Sequence, residues 1–483
     1  MRAAVILAAA VAVLNFAWMP GQFLDGDPAA WREEARSIVL RGELAVPAEF
    51  ASRFFEPGQY FVRNDSSGRY YSKYGVMNAL MSLPPLWAQA AAGELSTPGT
   101  YPSLLAFNLW NVALSALLAA LLYHLASRYT PRVWVRILFV LGTLYCSALW
   151  FYLRAQSSEL YQAVFFAALF LCLARVLRTR AWAWLGGAWV FAAALLFTRV
   201  SFGLLLPIIA LVAGYAMVQN KNGVRPHFLF LWLVLPPLAA VAVIGLVNTV
   251  KFGSPLLTGY HTWRPEVTAL TGSLADGLWG FLFSPRFSVF LHYPLLVLAL
   301  AGAPGFWRRH RMDAIAMAAV AVPFLLLTSK MPLWAGEFGY GPRYLLFMVP
   351  VLSLPAIVFA DAIIDSIRTW RARAWAAAAL ACLAYSAYLQ VQVNRLGFWT
   401  YYEARSVLEV AYSDSAADWF RDRHVGVVCA DLLRHRRDLT ALPWFPEFRR
   451  KVSPQIAEQY VRELGRIIDR GNWYWSVPRE ARN

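Results

Sequence analysis

Two carboxylates two residues apart, Asp25 and Asp27, stand in the stretch FLDGDPAAWREEARS (residues 23–37), directly after the first apolar run of the chain. A carboxylate within hydrogen-bond reach of a hydroxyl can take its proton while that oxygen forms a new bond. The pair Asp27-Pro28 is also a good helix start: Asp caps free amides, and Pro fills the first turn without wasting a donor. Further charge lies beside apolar runs. Lys73 follows in the same segment, Arg154 and Glu159 flank the turn RAQSSELYQ, and Lys251, His261, Arg264, Glu266 and Arg286 populate segment 250–286. The turn SKMPLWAGEFGYGPRYLL adds Lys330, Glu337, Tyr340 and Arg343.

What must position these groups is a membrane-embedded helical scaffold. The chain has 483 residues, is 59% hydrophobic and only 15% charged, well off the soluble average of about a quarter charged. Repeated apolar runs of about 17 to 25 residues are each long enough to cross a hydrocarbon core of about 30 Å. Candidate spans are 3–20, 101–126, 134–153, 158–176, 182–199, 201–218, 228–249, 287–304, 313–329, 343–360 and 374–392. The first run lacks a small-residue cleavage site and reads as an uncleaved span rather than a signal peptide.

The net charge of +16 is explained by cytoplasmic loops rather than by nucleic acid. No basic run is interleaved with aromatics as a single-strand groove requires. SRYTPRVWVR, RVLRTRA, QNKNGVRPH, WRRHR and RTWRARA are short and basic, so the positive-inside rule puts all five in the cytoplasm with the N-terminus. Segments 21–100 and 250–286 and the turns near Arg154, Arg199 and 330–342 then fall outside. The run 74–93, interrupted by Pro84-Pro85, reads as an interfacial helix, since a crossing there would invert every later loop.

The fold expected is an all-α polytopic bundle of about eleven spans over 1–392, with interfacial helices in a large first outer loop, 21–100. A small soluble appendage, 393–483, contains an amphipathic helix begun by Ser453-Pro454. Its side of the membrane is not fixed by charge. Four cysteines without CxxC or Cys/His spacing imply neither a disulfide framework nor a structural zinc.

Charges gathered beside spans on one face mark a functional site by default. Simpler roles compete at each position. Interfacial Arg and Lys snorkel, Glu159 can cap its helix, and Glu33 and Glu34 read as the solvated face of a short helix. His261 has no neighbouring ligand set, and AGEFGYGPRY lacks the Gly-Lys-Ser/Thr ending of a phosphate loop.

The stretch DPAAWREEARSIVLRGELAVP resembles the first outer loop of the GT-C membrane glycosyltransferases that use lipid-linked sugars, among them protein O-mannosyltransferases and lipid A aminoarabinose transferases. Asp27, Trp31, Ala35-Arg36 and Gly42-Glu43 fill that pattern. Lys73 and Pro84-Pro85-Leu86 correspond to a Lys-Pro-Pro-Leu segment that is contiguous in the family and split here. Glu159 matches an acid at the start of the fourth span. Trp334 and Tyr340-Gly341-Pro342-Arg343-Tyr344 resemble a segment of bacterial members, as do FGSPLLTGY and GFLFSPRFSVFLHYP. The tail resembles nothing nameable.

The resemblance implies a sugar donor on a polyprenyl phosphate, in a bacterial plasma membrane undecaprenyl phosphate, with membrane lipids around it. The acceptor would be a hydroxyl on a glycan, lipid or protein. Phosphate binding falls to Arg343 first, with Arg286, Arg154 and Lys73 behind it. Asp27 is the expected base, Asp25 the reserve, and single-step attack would invert the anomeric centre. Glu159, Tyr340, Glu337, Trp31 and His261 are expected around the substrates. No cofactor is implied with certainty, and a divalent metal is left open. The rival reading is a flippase or transporter of lipid-linked glycans, for which inverted repeats and midplane charges would be expected; the chain shows neither clearly.

Overall fold

The computed structural model describes the chain apart from residues 1, 22–26, 53–59, 94, 96–100, 180, 219–225, 337–338, 399, 403, 406–421 and 470–483. The described residues are mostly helical, with one antiparallel two-stranded ribbon, Phe61–Arg63 against Tyr70–Ser72. Asp25 and Glu337 lie outside the described residues.

Each expected span falls on a helix or a broken helix. Among the described residues, six are long and apolar enough to cross a membrane: Leu104–Ala126, Ser158–Thr179, Val200–Val218, Phe230–Phe252, Arg311–Lys330 and Trp370–Leu396. A seventh is Arg343–Leu352 with Pro355–Asp365, bent by 42°. Arg2–Ala17, Val133–Tyr145 and Trp182–Thr198 are shorter apolar helices. The expected span 134–153 breaks between Tyr145 and Leu149, and 287–304 breaks at Tyr293 before Pro294, where the ring removes a backbone donor. The run 74–93 forms two short helices, Val76–Met81 and Leu83–Ala91, meeting at Ser82. Neither is long enough to cross.

Burial separates the helices. In Ser158–Thr179, 78% of the apolar window is buried inside the protein, against 11% for Phe230–Phe252. The first is therefore the central post of the bundle, and the second shows most of its surface to the surroundings, as a lipid-facing helix does. At one end, Arg128 meets Asp313 at 3.7 Å and Arg132 meets Asp361 at 2.7 Å, tying the basic turns together. At the other end, the first loop is stitched to helix termini. Asn64 Nδ2 donates to the carbonyl of Val250 at 3.0 Å and Asn78 Nδ2 to that of Thr198 at 3.3 Å. Gly75 permits this docking, because a Cβ there would lie 2.2 Å from the carbonyl oxygen of Phe197.

One expectation is overturned in this loop. Glu33 and Glu34 are not solvated; they are 1% and 0% exposed. The helix Asp27–Arg41 is roofed by the loop and by segment 250–286, so both faces are covered. Glu34 pairs with Lys251 at 2.6 Å and Glu33 with Arg36 at 3.4 Å.

The tail packs at the same end of the bundle as the first loop. His424 stacks on His292, ring centroids 4.3 Å apart, and Gly426 lies against Leu389. The helix Pro454–Asp469 follows Ser453, whose hydroxyl accepts from Ile456 N at 3.4 Å. Its buried face is continuous with the core of the bundle.

Candidate functional site

Asp27 is the first residue of its helix, but its carboxylate does not cap that helix. Tyr74 donates its hydroxyl to Asp27 Oδ1, and Arg343 Nη2 stands 3.6 Å from Oδ2. The same guanidinium reaches Glu159 through Nε, again at 3.6 Å. Both separations are ion-pair distances too long for hydrogen bonds. Arg343 is thus set loosely between two acids from different helices. The Asp27 side chain keeps 35% of its exposure, against 7% for Glu159.

Asp27 opens onto a cavity of about 280 Å³. Its polar lining includes Asp27, Trp31, Lys73, Tyr74 and Asn78 from the first loop, Thr198 and Arg199 from the end of Trp182–Thr198, Lys251, Tyr260 and His261 from 248–261, and Tyr344 beyond the turn. Its apolar lining includes Ile244, Val247, Phe324 and Leu327, which lie up to two turns inside their helices from Lys251 and Lys330. One space therefore joins a charged mouth to a greasy interior.

The cations differ in what holds them. Lys73 Nζ sits 3.4 Å over the Trp263 ring, with Tyr74, Tyr260 and Tyr60 around it at 5.2, 5.2 and 5.6 Å. Such a cage attracts an ammonium electrostatically and fixes its position. Arg199 lies over the Tyr344 ring at 4.7 Å and, among the described residues, has no carboxylate partner. Burial, with the charge of Asp27 second, pushes the Tyr74 phenol well above its ordinary range. Tyr74 is accordingly a neutral donor to Asp27 and not a second base.

Several expected site residues stand elsewhere. Arg154 is buried and saturated: it donates to the Trp18 carbonyl, to Asn394 O at 3.1 Å and to Asn394 Oδ1 at 2.7 Å. It ties the first helix to the helix Trp370–Leu396. Arg286 is buried over the Phe287 ring at 4.8 Å and does not line the cavity. Tyr340 is fully buried, with its hydroxyl on Gln390 Oε1 at 2.9 Å; Tyr344, four residues on, lines the cavity instead. His261 does line it, held by Thr258 Oγ1 at 2.9 Å from Nδ1. Among the described residues no three His, Cys, Asp or Glu side chains converge to hold a metal ion. Arg343 occupies the place between Asp27 and Glu159.

The sequence reading missed Tyr74, Arg199, Lys251 and Tyr344 as site residues. Two signals were available: Tyr74 adjoins Lys73, and Arg199 ends an apolar run on the same side as the first loop.

No protein-family model and no curated protein matches the chain. Its helical arrangement is similar to that of the oligosaccharyltransferase AglB of Archaeoglobus fulgidus, solved with an inhibitory peptide and a dolichol-phosphate. The identity is 13% over 86% of this chain, with a TM-score of 0.48. It is also similar to ArnT from Cupriavidus metallidurans, bound to undecaprenyl phosphate (16% identity, 95% of this chain, 84% of that one, TM-score 0.45) and in the apo state (17% identity, 95% and 84%, TM-score 0.47). This chain spans 59% of the length of the archaeal protein. Both are glycosyltransferases of the GT-C fold, the group that the first loop resembles. These are likenesses of architecture at low identity, and a functional reading has to rest on the cavity itself.

Proposed function

We propose that this protein is a membrane glycosyltransferase that moves a sugar from a polyprenyl-phosphate donor to an acceptor hydroxyl, with Asp27 as general base. The carrying observation is the cavity of mixed character. Isoprenoid chain suits the lining of Ile244, Val247, Phe324 and Leu327, and a phosphate suits Arg199 and Lys73 at the mouth. An exposed face of the Asp27 carboxylate looks onto the same space.

The roles follow from the chemistry. The bond from the anomeric carbon to the phosphate oxygen breaks, and its electron pair leaves with the phosphate as a polyprenyl phosphate monoester. That leaving group needs charge neutralisation more than protonation, which Arg199 supplies in bidentate form with Lys73 beside it. The acceptor oxygen bonds to the anomeric carbon from the opposite face, with inversion, and gives its proton to Asp27. Arg343 holds the two acids apart and keeps Asp27 aimed. The preference for Arg343 as phosphate ligand gives way to Arg199 because Arg343 already serves two carboxylates. In this reading the chain lies in a bacterial plasma membrane with its N-terminus cytoplasmic and the cavity outside, and the acceptor is a glycan, lipid or protein.

Binding of undecaprenyl phosphate to the full-length protein in detergent, followed by native mass spectrometry, tests the donor class. The expected result is a bound lipid whose affinity drops at least tenfold in Arg199→Gln, about 1.4 kcal/mol. Absence of binding, or an Arg199→Gln protein that binds as the parent does, overturns it.

A further inference from the structure

The buried pair Glu34–Lys251 has no place in the transfer chemistry, yet it lies directly behind the residue that touches Asp27. Lys251 ends the helix Leu235–Phe252 almost completely buried, and Glu34 lies two turns beyond Asp27 on the same helix. Besides its 2.6 Å contact with Glu34, Lys251 Nζ donates to the main-chain carbonyl of Tyr74 at 2.9 Å. Tyr74 in turn donates its hydroxyl to Asp27. A closed circuit results: Asp27, helix to Glu34, Lys251, backbone of Tyr74, phenol of Tyr74, Asp27.

Each link has a geometric reason. Gly75 admits the backbone of this turn against the carbonyls of Phe197 and Thr198, and Ser72 Oγ accepts from Tyr74 N at 3.3 Å on the near side. Lys251 supplies the hold from the other side. Trp31 meets the Tyr74 ring edge-on at 5.3 Å, and Tyr260 does so at 6.0 Å, leaving the phenol one direction in which to donate. Burial raises the Glu34 carboxyl above its ordinary value, and Lys251 pulls it back. Such a pair is at best weakly stabilising compared with apolar residues of the same volume. What Lys251 adds at this place is the hydrogen bond to the Tyr74 carbonyl, which no apolar side chain can make.

We infer that Glu34 and Lys251 are positioning residues that fix the Tyr74 turn, so that the Tyr74 phenol holds the Asp27 carboxylate in the orientation needed to accept a proton. This rests on the transferase reading of the cavity. Lys251 acts through Tyr74 and touches neither donor nor acceptor in the step itself.

A purely structural role and a positioning role separate in the double variant Glu34→Met/Lys251→Met. Replacing both partners removes the buried charge altogether, which restores or preserves folding, while the hydrogen bond to the Tyr74 carbonyl stays lost. The full-length variants are compared with the parent in a strain lacking the chromosomal copy. Sugar transfer is read by mass analysis of lipid and glycan fractions, and undecaprenyl phosphate binding by native mass spectrometry. The expected result is a folded double variant that still binds the lipid and whose transfer falls at least tenfold further than its lipid binding does. Tyr74→Phe, which leaves no buried charge unpaired, should match it, and adding Tyr74→Phe to the double variant should lower transfer no further. Parental transfer by the double variant, or independent and additive losses, overturns the inference. If the double variant does not fold, Tyr74→Phe with parental transfer overturns it alone. A parent that neither binds the lipid nor transfers sugar would instead refute the transferase reading.

Discussion

Two acid–cation clusters lie on one helix, and they are built in opposite ways. Glu34 and Lys251 are in contact at 2.6 Å and about 0% and 1% exposed. Asp27, Arg343 and Glu159 stand at 3.6 Å, with Asp27 35% exposed toward a cavity. In the closed cluster the cation touches its one carboxylate and both side chains are almost wholly buried. In the open one the cation is shared, its contacts exceed hydrogen-bond length, and one carboxylate keeps lone pairs for an incoming group. Tight pairing belongs to the frame; loose pairing belongs to a place where another molecule must bind.

The comparison can be broken first at the closed cluster. Lys251→Met alone leaves the Glu34 carboxyl buried without its partner and should lower stability by about 3–5 kcal/mol, measured by thermal unfolding in detergent. A loss below about 1 kcal/mol would mean that the pair is not closed. Next in size is Gly75→Ala, whose methyl group would meet the Phe197 and Thr198 carbonyls. Overpacking of this kind costs about 1–3 kcal/mol and should displace the Tyr74 turn, lowering transfer as well as stability.

A third test uses pH. Burial pushes His424 in the tail down to about 4 from an ordinary value of about 6.5. The folded-state value is depressed, so the unfolded chain takes up the proton first. The stability contributed by neutral His424 is fully present above about pH 6.5 and is lost as pH falls toward 4. At pH 5 the loss is about 2 kcal/mol. Asn at position 424 can still cap the helix Val425–Arg434, as the His424 Nδ1 now does by accepting from Gly426 N. His424→Asn should therefore flatten the difference in melting temperature between pH 7 and pH 5; an unchanged difference would remove His424 as its source. The smallest effect on stability is expected at the open cluster. Asp27→Asn should change unfolding by less than about 1 kcal/mol, as for partly exposed pairs.

Much of this arrangement is legible in the sequence because it follows from one-dimensional rules. The apolar runs fall on helices, Asp27 begins one, and charges beside the runs gather at one end of the bundle. What was not legible depends on which face of an element is covered. Glu33 and Glu34 look like a surface pair, since nothing in AAWREEARS says that the next loop closes over them. Arg154 and Arg199 both follow apolar runs, yet the first is used up on the Trp18 and Asn394 acceptors while the second faces the cavity. In YGPRY, the positive φ of 63° at Gly341 turns the chain so that Tyr340 points into the bundle and Tyr344 toward the mouth. A motif lists both tyrosines with equal weight; only the turn distinguishes them.

The central claim is that Asp27 acts as a base and not as a structural charge. Its most direct test is sugar transfer by the Asp27→Asn protein, with folding and undecaprenyl phosphate binding measured on the same preparation. Asn can accept the hydrogen bond from Tyr74 but cannot take a proton. The account predicts parental folding and lipid binding with transfer reduced by about 10²–10⁴-fold. Transfer at the parental rate by a folded Asp27→Asn protein would contradict it.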